Sequence, residues 1–406
     1  MLILPSVFKN DNEDYLTSIE IKKFLKIHGE KVTFSEGRME VVEKLINYAN
    51  LSEENVEKVQ DWVDKTTKEG IKYIYIKKVN KNSPGWNLVK SGVITALLNE
   101  LLEKIENKHL CNSMDFYEKD AKLIRADILE SEHGEVISLY FCKKIHIYDR
   151  TKIAKESLYP VYVDIYTEHE IVVVRGKSKS GMYIYRDEGF DYDVSKSTEV
   201  SKCVGEIFNY ISDKLGIWYV NSRDVNIYFR QKFYNLLNKY TDTPEIIKDK
   251  MSEKSMETSG IINFFVENIC NLDDKYKVDV EKDIINLVEK YFSISYPEKN
   301  IFKEGRDAFP LKIIATDEED SHLEQATGTE EPLQSRAIFF DNKKMMQKSR
   351  LCDGVVFVFN RRNPTKYNPN FKVTIITNKD YCTLKFTEYI KEEDIQYVLF
   401  SVIDVE

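Results

Sequence analysis

Arg175-Gly176-Lys177-Ser178-Lys179-Ser180-Gly181 contains the Gly-Lys-Ser tripeptide of a phosphate-binding loop. Such a loop needs another glycine five residues before its Gly-Lys pair and a helix after it, so that successive amides wrap the phosphate. The earlier position is Ile171, and the segment runs from strand to strand. It reads as a basic hairpin in which Lys177 and Lys179 are candidate contacts to a nucleic-acid backbone. Cys142 and His146 lie in one strand, roughly 13 Å apart along its axis, too far for a nucleophile–base pair. Asp164, Glu168, His169 and Glu170 gather at a strand end, and Asp317 to Glu324 with His322 gather in a loop. Both sets offer oxygens to a divalent cation, but neither has the ligand spacing of a metal loop. A restriction-type nuclease wants an acid followed by acid-x-Lys on the next strand. Glu170 is followed by Ile171 and Val172, so that pattern is absent. No metal, cofactor or catalytic residue is assigned.

The elements that would position these groups suggest a multidomain α+β chain. Residues 1–70 read as a small helical domain with starts at Thr17, Ser35 and Ser52, each flanked by apolar residues able to staple the first turn. Residues 71–220 read as an α/β domain: a strand at Ile71–Val79, one long packing helix from Asn87 to Lys108, and strands at Val136–Tyr148, Tyr159–Tyr166 and Glu170–Arg175. The last pairs with Met182–Tyr185, and a helix at Glu199–Leu215 closes the block. Residues 221–300 read as a helical domain. Residues 301–406 read as an α+β domain with strands near Leu311–Ala315, Ala337–Phe340, Val355–Phe359, Val373–Thr377 and Thr383–Phe386, and a final helix near Glu392–Leu399. Thr316 to Glu331 holds seven acids and no Lys or Arg, a solvated loop.

Composition narrows the class of protein. Of 406 residues, 42% are hydrophobic and 31% charged, which suits a folded chain rather than a disordered or fibrous one. The net charge of −9 repels nucleic acid overall, so any such contact must be a local basic patch. Six cysteines without a CxxC pair indicate neither a disulfide framework nor a zinc ribbon, and a cytoplasmic setting is expected. No apolar run approaches the roughly 20 residues of a membrane span.

Tyr15 to Ala49 carries the most informative pattern. Leu16, Glu20, Lys22, Leu25 and Gly29 are followed by Gly37, Arg38, Glu40, Val41, Val42, Glu43, Lys44, Leu45 and Tyr48. This order resembles the SAP family of small DNA-binding modules: a helix, a short extended link with a glycine, and a second helix opened by glycine and a basic residue. The resemblance covers about a twelfth of the chain and implies duplex DNA as partner, with little sequence preference and a leaning toward AT-rich tracts. Two adjacent helix N-termini suit a phosphate on physical grounds as well. Lys22, Lys23, Lys26, Lys31, Arg38 and Lys44 would supply the cations, against Glu20, Glu30, Glu36, Glu40 and Glu43 in the same span. Glu36 departs from the family by placing a negative charge where the phosphate would sit.

A second basic stretch runs from Phe340 to Phe386, with ten basic residues, Arg361 and Arg362 among them, against three acids, and with interleaved aromatics. The resulting expectation is a non-enzymatic DNA-binding or adaptor protein with a further protein partner. Two alternatives stand beside it: a metal-dependent nuclease built on Asp164 and anchored by the N-terminal module, and a protein–protein scaffold.

Overall fold

The structure, a computed structural model, describes residues 2, 4–9, 15–103, 109–111, 120–148, 154–178, 181–185, 197–270, 274–316, 322–328, 331–378 and 380–405. It is a mixed α+β multidomain chain that divides into two compact units, Met1–Asn221 with Lys385–Glu392 and Ser222–Leu384 with Glu393–Glu406. Among the described residues no helix is long and apolar enough to cross a membrane.

The first unit opens with four helices, α1 (Ser6–Lys9), α2 (Ser18–Ile27), α3 (Arg38–Ala49) and α4 (Glu53–Lys68). The hydroxyls of Thr17 and Ser52 accept the N–H groups of Glu20 and Asn55, each at 3.2 Å, and so cap α2 and α4. The second helix departs from expectation: it begins at Arg38, not Ser35. Thr33, Ser35 and Glu36 bond to one another in a turn, which consumes the groups that would have capped an earlier start. Phe34 and Met39, expected to staple that start, are 97% and 65% exposed.

Next come β1 (Tyr73–Lys78), α5 (Pro84–Lys90), α6 (Ile94–Glu103), β2 (Lys122–Ser131), β3 (Gly134–Tyr148), β4 (Ala154–Tyr166), β5 (Ile171–Gly176), β6 (Met182–Ile184) and α7 (Val200–Leu215). The expected long helix over 87–108 is broken at Gly92, which adopts φ +71°, and residues 104–108 lie outside the described set. β2 carries too few apolar residues in its distal half to have been read from sequence. The strands form an antiparallel sheet in the order β2-β3-β4-β5-β1. β6 pairs with β3, Ile145 opposite Ile184, and not with β5. β5 and β6 are therefore not the two arms of one hairpin, which corrects the hairpin reading.

Strand alternation sends successive side chains to opposite faces. On β3, Tyr140 and Cys142 join Tyr162, Leu158 and Ile124 in one core with α1–α4, while Phe141 meets Tyr210 of α7 edge-on. Gly85 fits where a Cβ would stand 1.9 Å from the Leu215 carbonyl oxygen, so α5 docks on the end of α7 through glycine.

The second unit contains α8 (Ser222–Tyr240), α9 (Glu245–Glu253), α10 (Ser255–Phe264) continued by a π-helical turn (Phe265–Cys270), and α11 (Asp274–Ser295). β7 (Ala308–Thr316), β8 (His322–Ala326), α12 (Ala337–Ser349), β9 (Gly354–Thr365), β10 (Asn368–Thr377), β11 (Cys382–Phe386) and α13 (Glu392–Ile403) follow. The sheet order is β11-β10-β9-β7-β8. The strand expected at Ala337–Phe340 is the first turn of α12: the adjacent buried Phe339 and Phe340 mimic a strand, but Met346 continues them at helical spacing. The acidic run is not wholly loop, since β8 lies within it.

Candidate nucleic-acid interface

The N-terminal helices are held by their own cations. Lys22, in the second turn of α2, donates to the carbonyls of Phe34 at 2.9 Å and Glu36 at 2.7 Å, just ahead of α3. Arg38, the first residue of α3, donates to the carbonyls of Leu16 at 2.6 Å, just ahead of α2, and Phe8 at 2.8 Å. These reciprocal bonds set the two helix N-termini side by side. Carbonyl oxygens are neutral, so the bonds leave the positive charge in place. α3 opens on Gly37, which has no side chain with which to cap the amides of its first turn. Glu40 turns back to accept the Gly37 N–H at 3.0 Å.

The remaining sequence-selected cations separate by environment. Lys44 donates to the Lys31 carbonyl at 2.8 Å and pairs with Glu36 at 3.0 Å. The Thr33 N–H, followed by Lys44, holds the Glu36 carboxyl below its ordinary range and so keeps it ionised, and the Lys44 ammonium offsets that charge. Lys23 pairs with Glu20 at 2.8 Å. Lys26 and Lys31 are exposed and make no ion pair among the described residues. Exposed Ile19, Ile27, Phe34 and Met39 lie among these cations.

The other basic candidates have surroundings of their own. Lys177 is buried with its ammonium 5.2 Å from the Tyr15 ring centre, and Lys179 lies outside the described residues. In the second unit, Arg361 is buried against Asp394 at 3.2 Å and lies over Phe371. Arg362 stacks on Tyr397 at 4.0 Å, and its backbone N–H donates to Asp394 at 2.8 Å. Lys343 is paired with Glu289, and Lys344 with Asp283. Four of the ten cations in this stretch, Lys343, Lys344, Arg361 and Arg362, are thus met by acids distant in sequence, while two of its three acids, Asp341 and Asp353, are taken by Lys290 and Arg230. Lys366 and Tyr367, at the β9–β10 turn, remain outward, Tyr367 at 92% exposure.

Asp164, the candidate metal acid, lies on β4 at 3% exposure. One carboxylate oxygen accepts from Ser138 at 2.5 Å and Lys68 at 3.2 Å; the other is 2.8 Å from Arg175. Burial alone would raise its pKa, but Lys68 and Arg175 draw it down to about 2. Arg175 also forms two bonds to Glu392, at 2.5 and 2.9 Å. These oxygens are spent on cations. Glu170 is drawn to Lys81 at 2.5 Å, and Glu324 of the acidic loop to Lys312 at 2.5 Å. Asp317 to Asp320 lie outside the described residues. Cys142 and His146 are both buried in β3.

Sequence reasoning missed this buried set. Asp164 within Tyr162-Val163-Asp164-Ile165 and Arg175 after Val172-Val173-Val174 are charges inside apolar strands, a signal of an internal ion pair. Lys68, Lys72 and Glu392 leave no comparable local mark. Lys72 is 1% exposed, its ammonium 4.8 Å from the Tyr15 ring centre and 5.7 Å from that of Tyr162. Burial lowers its pKa well below the lysine range, and the neighbouring Lys177 and Arg175 lower it further. A second set is centred on buried Asp64, which accepts from the Leu110 N–H at 3.0 Å and Arg125 at 2.9 Å and sits 2.7 Å from the His109 ring.

Comparison with family models, with curated proteins and with solved structures returns no match.

Proposed function

We propose that this protein binds duplex DNA through α2, the link and α3, with little sequence preference, and serves as a non-enzymatic DNA-binding adaptor. The observation that carries the reading is the Lys22–Arg38 clamp, which pairs two helix N-termini and leaves the first turn of α3 without a side-chain cap. The amides at a helix start and the positive end of the helix dipole are suited to a phosphate oxygen. Lys26 and Lys31 add cations that no acid offsets among the described residues, and the order of parts resembles the SAP family. Contacts of this kind position a protein on the backbone without reading bases. A second reading, a protein-docking module, is favoured by the 97% exposure of Phe34.

Fluorescence anisotropy of a labelled AT-rich duplex of about 30 base pairs, at about 50 and 200 mM salt, tests the reading. Wild type is expected to bind and to weaken steeply with salt. Lys23→Glu/Lys26→Glu/Lys31→Glu, which spares the clamp, is expected to lose at least about tenfold in affinity. No binding by wild type at the lower salt overturns the reading.

A further inference from the structure

α10 is an anomaly among the helices of the second unit: none of its residues is buried. Yet Met256 is 84% exposed, Ile261 55%, Phe264 60%, and Ile269 in the following π-helical turn 60%. At about 100° per residue, Met256, Gly260, Phe264 and Ile261 fall within a single arc of about 140°. These side chains present on the order of 500 Å² of apolar surface, the size of the largest such patch on a typical monomer and one that often serves binding. No charged residue interrupts Thr258 to Val266.

The charges at the two ends say what fits. Lys254 precedes the helix and Glu267 follows its apolar centre. A second copy laid antiparallel across this face brings Lys254 of each chain opposite Glu267 of the other, while a parallel copy sets like against like. The crossing point of the antiparallel arrangement falls at Gly260 and Ile261. Gly260 has open space where a side chain would be, so two backbones can approach there. Glu257, also on the arc, is already tied to Lys254 at 2.9 Å. A twofold axis makes the patch its own complement, and its apolar centre supplies the core of an interface needing about 800 Å² per partner.

We propose that α10 and the π-helical turn form the twofold interface of a homodimer, with Met256, Ile261, Phe264 and Ile269 as its core and Lys254–Glu267 pairs at its rim. Sedimentation equilibrium and light scattering on the full chain, from about 1 to 100 µM, should give twice the chain mass. Ile261→Asp/Phe264→Glu should be monomeric throughout, with unchanged circular dichroism because neither side chain is buried, and with a melting temperature that does not rise with protein concentration. Lys254→Glu should weaken the dimer by about tenfold or more, and Lys254→Glu/Glu267→Lys should restore it, a rescue that only a self-pairing surface can show. A wild-type monomer at the highest concentration overturns the proposal. So does a dimer indifferent to Ile261→Asp/Phe264→Glu, or a charge exchange that fails to rescue.

Discussion

Lys26 and Arg361 are both basic residues in stretches that read alike from sequence, but the fold treats them oppositely. In the N-terminal module, Lys22 and Arg38 bond to carbonyls and keep their charge, while Lys26 and Lys31 face water unpaired among the described residues. In the β9–β10 region, Arg361 is buried against Asp394, and Lys343 and Lys344 are met by Glu289 and Asp283. A count of charges along the chain is therefore a poor guide to the field outside it. What matters is whether the fold supplies a carboxylate or a carbonyl to each cation, and the acids that meet Lys343, Lys344 and Arg361 arrive from α11 and α13.

The sharpest way to break this comparison is to remove a cation from each region. Arg361→Met strands the buried Asp394 carboxylate and should lower unfolding free energy by about 3 kcal/mol while leaving duplex affinity unchanged. Urea denaturation and anisotropy read the two effects separately, and a loss of affinity without a loss of stability would reverse the roles given to the regions. Next in size is a pH effect in the floor beneath the module. The Asp164 carboxyl is depressed in the folded state, so its contribution is complete above about pH 4 and drains as pH falls through about 2. About 2 kcal/mol should vanish over that interval. Asp164→Asn should flatten that part of the stability–pH curve, and an unchanged curve would remove Asp164 from the account.

Smaller again is Arg38→Met, which loses bonds to two carbonyls and should cost about 1.5 kcal/mol. It should also weaken duplex binding by freeing α3 from the start of α2; binding that survives would detach the clamp from recognition. The least destabilising change is Lys26→Gln/Lys31→Gln. Stability should stay within about 0.5 kcal/mol, while the slope of log affinity against log salt should fall by about 2 units. An unchanged slope would place the phosphates elsewhere.

Much of the architecture was legible because local chemistry and tertiary packing agree. Thr17 and Ser52 cap the helices they were expected to cap, and the apolar runs at Val136, Tyr159 and Val373 are strands. The failures have different causes. Ser35 looked like a cap, yet its turn is closed by Thr33 and Glu36. Met182–Tyr185 looked like the return arm of a hairpin, but β3 is long enough to accept β6 beyond the end of β2. Phe339 and Phe340 looked like a strand because two neighbouring buried aromatics have no period of their own. Only for β6 does the deciding partner lie far along the chain; at Ser35 and at Phe339 it lies within seven residues, in a turn and a helix that the local pattern did not single out. The candidate interface divides the same way: its cations could be named from sequence, but the difference between a clamp residue such as Arg38 and a solvent-facing one such as Lys26 exists only in three dimensions.

The most direct test of the central claim is amide hydrogen exchange of the full chain with and without a saturating AT-rich duplex. Bound phosphate should slow exchange in the peptide covering the link and the first turn of α3, from Lys31 to Glu40, and leave the β9–β10 turn at Lys366 and Tyr367 unchanged. Protection confined to the β9–β10 turn, with none at the start of α3, would contradict it.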